Sequence, residues 1–194
     1  ILCGAVGFFL LEFNNPETMG DMNLLEKMTA SLFQSVTTRT AGFATVPQGD
    51  LRESSKLLGC MLMFIGGSPA GTAGGVKTTT IAMLLLTVLC VLKNKRDTEC
   101  FARKIDNNIV RSGITITMIT LIFLMSGITA LTIFEPGIDF LDLTYEAASA
   151  MGTVGLTADL TPILSRGSHV ILMILMYVGR IGPVSLFIAN LSFA

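Results

Sequence analysis

An apolar run at residues 57–92 would make one ordinary transmembrane helix but for its middle, which reads Gly66-Gly67-Ser68-Pro69-Ala70-Gly71-Thr72-Ala73-Gly74-Gly75-Val76-Lys77-Thr78. In a helix interior a glycine costs about 1 kcal/mol and a proline about 3 kcal/mol relative to alanine. The run is therefore two half-helices around a loop. Irregular backbone at membrane depth is tolerated only where protein buries it or where it lines water. The loop needs a packed bundle or a cavity around it.

Composition points the same way: 51% of the 194 residues are apolar and 14% charged, the profile of a membrane protein. A net charge of −1 supplies no basic field for nucleic acid. Cys3, Cys60, Cys90 and Cys100 show no CxxC spacing, and the single histidine, His169, has no second one with which to share a metal. His169 is expected at the outer interface. The chain opens and closes within apolar runs and lacks an initiator methionine, which reads as a fragment.

Residues 1–13 read as the outer end of a truncated span, with Glu12 either exposed at the interface, the default reading, or paired with a neighbouring loop. Residues 14–28 are polar and acidic, and a short amphipathic helix follows at 30–38, too short to cross a bilayer that takes roughly 20 helical residues. Next comes Thr40-Ala41-Gly42-Phe43, then a hydrophilic link, then the broken span. Residues 93–108 are charged, 109–134 form a clean span, a second short amphipathic stretch at 142–151 precedes Gly152-Thr153-Val154-Gly155-Leu156, and 168–194 make a final span.

The order of elements repeats. A shift of 113 positions superposes Thr40 on Thr153, Gly42 on Gly155, Leu62 on Leu175, Met63 on Met176 and Gly66 on Gly179. Internal repeats are a common construction in membrane transport folds. The unit is span, short re-entrant helix, TxG loop, span. The chain is accordingly expected to be an all-α membrane protein of two such repeats, residues 1–92 and 109–194, joined by a link at 93–108.

Lys93, Lys95, Arg96, Arg103, Lys104 and Arg111 cluster around that link, which places it in the cytoplasm by the positive-inside rule and the TxG loops on the outside. Acidic residues, among them Glu17, Asp21, Glu26, Asp50, Glu135, Asp139, Asp142 and Asp159, flank the re-entrant stretches. They are either a cation-concentrating mouth or a solvated face.

The TxG loops suit a cation filter. Backbone carbonyls replace the water that an ion sheds without trapping it as a carboxylate would. Glycine accepts positive φ, so successive carbonyls turn to one side, and it leaves the axis clear. Gly42 and Gly155 fit that role, with Thr40, Ala41 and Phe43 beside the first and Thr153, Val154 and Leu156 beside the second. The short helices aim their partly negative C-terminal ends at the same place, each worth up to about 1 kcal/mol to a cation. Arg39 is a candidate to brace the first loop from behind through backbone carbonyls; the alternative is a merely exposed arginine.

The segments Val36 to Phe43, Gly66 to Thr80 and Gly179-Arg180-Ile181-Gly182-Pro183 resemble the Ktr-type potassium-uptake subunits of the Trk/Ktr/HKT superfamily, over essentially the whole chain. The resemblance implies a pseudo-fourfold pore of four span–loop–span repeats, of which this chain holds the third and fourth and lacks the first two. It makes Gly42 and Gly155 two of four filter glycines, passing potassium, with sodium as second candidate ion and no covalent cofactor. It also implies a homodimer in the plasma membrane, in contact with lipid and seated on a cytoplasmic ring of nucleotide-binding (RCK-type) regulatory subunits.

The broken span then has a task. Gly66, Gly67, Gly71, Gly74, Gly75 and Lys77 form a loop expected to lie across the cavity below the filter, and Arg180 stands where the first repeat has Gly67. An arginine at membrane depth costs about 3 kcal/mol or more and faces protein or water. It is expected to hold the loop shut through hydrogen bonds to its carbonyls; the alternative is a static kink with Arg180 snorkelling. Lys77 either neutralises loop carbonyls or, as the favoured reading, snorkels to the cytoplasmic interface.

Three other classes compete, one of them a purely structural membrane scaffold. The 71–78 segment faintly resembles a phosphate-binding GxxxxGK[ST] loop, but Val76 stands where that pattern needs glycine and no strand precedes it, so no enzyme activity is expected. A sodium-coupled or alternating-access cation carrier is the stronger rival, since broken helices and repeats also mark secondary transporters.

Overall fold

The computed structural model describes residues 1–69, 73–93, 99–100 and 103–181. Its elements are α1 (Leu2–Glu12), α2 (Leu24–Thr37), α3 (Glu53–Phe64), α4 (Thr78–Leu92), the paired two-residue strands β1 (Glu99–Cys100) and β2 (Arg103–Lys104), α5 (Asn107–Phe134), α6 (Phe140–Gly152), a 3-10 turn at Thr161–Ile163, and α7 (Arg166–Ile181). Apart from the small hairpin in the charged link, the fold is all-helical, as a membrane bundle requires when backbone groups must be satisfied without water.

Helix ends are written in the sequence. Asn23 starts α2 with a reciprocal capping box, its main-chain N–H donating to Glu26 Oε2 at 2.8 Å. This cap is why α2 begins at Leu24 rather than near residue 30, where apolar patterning alone would start it. Asp106 and Asp139 cap α5 and α6, accepting from the N–H groups of Asn108 and Leu141.

Among the described residues, α5 is the one helix long and apolar enough to cross a membrane. Its 28 residues reach roughly 42 Å at 1.5 Å each, more than a hydrocarbon core of about 30 Å. The other apolar helices are shorter because the chain is broken: α3 stops at Phe64 and α4 starts at Thr78, on either side of the glycine-rich loop.

The core gathers around α6. Nine of its thirteen residues are buried, from Leu143 and Tyr145 through Gly152, so α6 is covered on nearly all sides instead of along one stripe. Leu124, Ile128 and Leu131 of α5 and Leu172, Leu175 and Val178 of α7 pack on Leu143, Ala147 and Met151. On the opposite side, Cys60 and Met63 of α3 pack with Tyr145, Ala148, Val154 and Leu156. Lys56 of α3 and Asp142 of α6 form an ion pair at 2.5 Å across this contact. In the other repeat α1 packs against α2 and α3, burying Gly4, Phe8 and Glu12, which are spaced four residues apart on one face.

Two carboxylates at helix ends make matching contacts. Glu12 is buried, not exposed: its Oε1 accepts the Arg52 N–H at 3.0 Å at the start of α3, and its Oε2 accepts Asn15 Nδ2 and Thr18 Oγ1, each at 2.6 Å. Glu135 Oε1 likewise accepts the Ser165 N–H at 2.7 Å at the start of α7. Arg52 and Ser165 are 113 positions apart, and in each case a carboxylate at the end of an apolar helix, α1 or α5, holds the start of the α-helix two on, α3 or α7.

Candidate functional site: two adjoining TxG loops and a glycine-rich loop

Both TxG loops leave their helices by the same backbone route. Thr40 has φ 69° and Gly42 has φ 77°; Thr153 has φ 51° and Gly155 has φ 92°. Left-handed backbone at two residues out of three is rare, and for a threonine it costs roughly 1–2 kcal/mol. It persists only where the surroundings over-determine it. Alternation between the left-handed and ordinary regions turns successive peptide groups the same way, so that their N–H groups gather on one face, as in main-chain anion nests, and their carbonyls on the other.

The two loops adjoin. A Cβ built on Gly42 would overlap the Val154 carbonyl oxygen and would lie 3.6 Å from Gly155 Cα. The structure thus brings Gly42 and Gly155 together although 113 residues separate them in the chain. Val154 and Leu156 are buried in the cluster behind their loop while Gly155 is exposed on its other side. Ala41 and Phe43 are exposed at the first loop.

Hydrogen bonds hold each loop from behind. The Thr37 hydroxyl donates to the Phe43 carbonyl at 2.6 Å and accepts the Phe43 N–H at 2.9 Å, closing the first loop at its neck. Gln48, just beyond that loop, donates to the Val46 carbonyl at 2.7 Å, and its Oε1 accepts from Gln34 Nε2 at 2.5 Å and from the Tyr145 hydroxyl at 2.8 Å. All three side chains are buried, and Tyr145 carries the network into the second repeat. At the second loop Glu146 accepts from Thr157 Oγ1, from the Ala158 N–H at 2.9 Å and from Thr161 Oγ1 at 3.1 Å. These bonds flank Asp159, which also has positive φ.

The glycine-rich loop is pinched at its base and touches the second TxG loop with its far side. The Val76 N–H reaches the Phe64 carbonyl at 3.1 Å and the Thr78 N–H the Gly67 carbonyl at 3.3 Å, around a parallel bridge between Ile65 and Val76. Gly75 has φ 69°, and the Gly74 N–H donates to Thr153 Oγ1 at 3.0 Å. Lys77 donates its ammonium to the Ala73 carbonyl, so it serves a loop carbonyl and does not extend away from the loop. Gly71 lies outside the described residues, as do Gly182 and Pro183. Arg180 lies in the last turn of α7 with its side chain exposed.

Arg39 does not brace the first loop as its position suggested. Its Nε is buried without a hydrogen-bond partner among the described residues, and Thr37 with the glutamine pair supplies the support. Gln34, Gln48, Tyr145 and Glu146 were not singled out from sequence. A signal existed: Gln34 and Glu146 are polar side chains on short helices that the fold must bury.

Comparison with known proteins gives the family and the fold. The family model for TrkH, described as a cation transport protein, matches residues 4–192. The chain is 41% identical over 177 residues to the Ktr system potassium uptake protein B of Bacillus subtilis, covering 91% of this chain and 40% of that protein. It is 35% identical over 187 residues to the potassium/sodium uptake protein NtpJ of Enterococcus hirae, covering 94% and 41% respectively. The crystal structure of the potassium transporter TrkH from Vibrio parahaemolyticus superposes with a TM-score of 0.78 at 21% identity, covering 97% of this chain and 42% of that one, and so shares the fold. The chain spans about two fifths of the length of these relatives. It belongs to the TrkH family of cation transport proteins, and is a membrane protein with the fold of one half of such a transporter.

Proposed function

We propose that the chain supplies the third and fourth quadrants of a potassium-selective pore in the plasma membrane, with residues 1–92 and 109–194 as the two repeats and the 93–108 link in the cytoplasm. Main-chain carbonyls of Thr40 to Gly42 and of Thr153 to Gly155 line the filter and stand in for the ion's water, with Phe43 and Leu156 completing the two loops. The observation that carries this reading is the shared left-handed alternation at Thr40 and Gly42 and at Thr153 and Gly155, with the two glycines side by side. A pore axis asks two distant loops for the same strained backbone and the same missing side chain at one place.

The glycine-rich loop, Gly66 to Lys77, is the gate below the filter, with Arg180 holding it from the last turn of α7. The first two repeats of the intact transporter complete the ring. An apolar groove of about 660 Å³ between α1 and α2, lined by Leu2, Val6, Phe9, Leu24, Leu25 and Met28, suits packing against them or against lipid. The transporter works as a homodimer on a cytoplasmic nucleotide-binding ring, in the manner of Ktr systems. Potassium is the principal ion; sodium stays as a second because a relative at 35% identity is named for both.

Uptake of ⁸⁶Rb⁺ by an uptake-deficient host expressing the intact transporter tests this. Gly42→Ser and Gly155→Ser should each lower the potassium-over-sodium preference, read by competition of sodium with ⁸⁶Rb⁺, since each puts a side chain beside the axis. Undiminished preference in both would remove the filter from these loops.

A further inference from the structure

We propose that Thr153 is a positioning residue that latches the glycine-rich loop to the inner end of the second filter, through the hydrogen bond its hydroxyl accepts from the Gly74 N–H. This rests on the reading of that loop as the gate. Thr153 sits at a junction: with φ 51° and ψ 41° it ends α6 and begins the TxG loop. Its hydroxyl points out of that turn to the Gly74 N–H, 3.0 Å away.

The contact is close enough to be selective. A Cβ on Gly74 would lie 2.5 Å from Thr153 Oγ1 and 2.9 Å from the Gly152 carbonyl, so only glycine lets the loop reach the filter. The loop's base is fixed independently by the bonds from Val76 to Phe64 and from Thr78 to Gly67. With the base fixed, the Gly74 bond is the hydrogen bond that joins segment 73–75 to the second TxG loop. The Lys77 ammonium on the Ala73 carbonyl stiffens that segment from its other end.

A latch and an ion ligand respond in opposite directions when the hydroxyl is removed. If Thr153 Oγ1 served the permeating ion, its loss would weaken permeation. As a latch, its loss frees the loop and raises flux. A neutral hydrogen bond of ordinary strength shifts the closed-to-open ratio by about two- to tenfold.

The test is ⁸⁶Rb⁺ flux through the intact transporter in proteoliposomes, normalised to incorporated protein. Four variants are compared: Thr153→Val, Thr153→Ser, Thr153→Cys, and a transporter with a shortened 66–77 loop. Thr153→Val should raise flux by about two- to tenfold. Thr153→Cys, with only a weak sulfur acceptor, should move the same way and decides the matter if the valine variant does not reach the membrane. Thr153→Ser, which keeps the acceptor, should raise flux by less than Thr153→Val does. If the shortened loop raises flux while valine and cysteine leave it level or lower it, the latch is overturned and the gate stands. If the shortened loop raises nothing, the gate reading fails and the latch with it.

Discussion

Gly42 stands against the main-chain carbonyl of Val154 with no room between them for a side chain, so the first TxG loop uses its glycine to fit the second loop as well as to turn its own backbone. With φ at 77°, any L-residue there also meets the left-handed penalty of roughly 1–2 kcal/mol. Gly42→Ala should therefore lower the unfolding temperature of the detergent-solubilised transporter as well as its selectivity. At Gly155 the nearest atom to a built Cβ is Gly42 Cα at 3.9 Å, so Gly155→Ala should disturb packing less. Equal melting shifts for the two alanines would contradict this difference.

The buried glutamine pair ties the repeats together through Tyr145. Tyr145→Phe removes one donor to Gln48, and Gln48→Leu leaves the Tyr145 hydroxyl and the Gln34 amide without their acceptor. An unsatisfied buried group costs about 1–3 kcal/mol. Gln48→Leu should thus destabilise more than Tyr145→Phe, and the double variant should be less unstable than the sum of the two. Strict additivity in thermal unfolding would show that no coupling passes through this bond.

Glu146 serves three donors around the left-handed Asp159. Glu146→Gln keeps an acceptor for the Ala158 N–H, while a threonine hydroxyl can turn to accept from its amide. Glu146→Leu keeps the bulk and loses every acceptor. The leucine variant should be the less stable by about 1–3 kcal/mol, read from its melting temperature. A glutamine variant as unstable as leucine would mean that the charge, and not the hydrogen bonds, carries the interaction.

Much of this architecture was legible in the chain. The apolar runs, the glycine break and the shift of 113 positions delivered the helices, the interruption and the pairing of Gly42 with Gly155, because each is a local pattern or a direct match. The start of α2 at Leu24 was not, since a capping box at Asn23 and Glu26 outweighs the polar composition that precedes residue 30. Nor was the left-handed backbone at Thr40 and Thr153, which threonine ordinarily avoids and which only tertiary packing enforces. The Tyr145–Gln48 bond joins residues 97 apart, and no periodicity announces such a pair. Glu12 looked like an interface residue because nothing in its neighbourhood names the Arg52 N–H as its partner.

The Ser165 N–H, and after it the Ser168 hydroxyl, hold the Glu135 carboxyl below the usual carboxylate range. A group whose pKa is depressed by folding adds stability above its unfolded value, and loses it as pH falls through its folded one. The stability advantage over Glu135→Gln should therefore be present at neutral pH and shrink on acidification below the ordinary glutamate range. Melting curves across that range would show an unchanging gap if the carboxylate played no such part.

A thallium or rubidium soak of the intact transporter, read by anomalous diffraction, asks directly whether ions sit where the two glycines meet. The expected result is anomalous density on the axis beside Gly42 and Gly155, within about 3 Å of main-chain carbonyls of residues 40–42 and 153–155. Density absent there, with the carbonyls turned away from a common axis, would contradict a filter built from these loops.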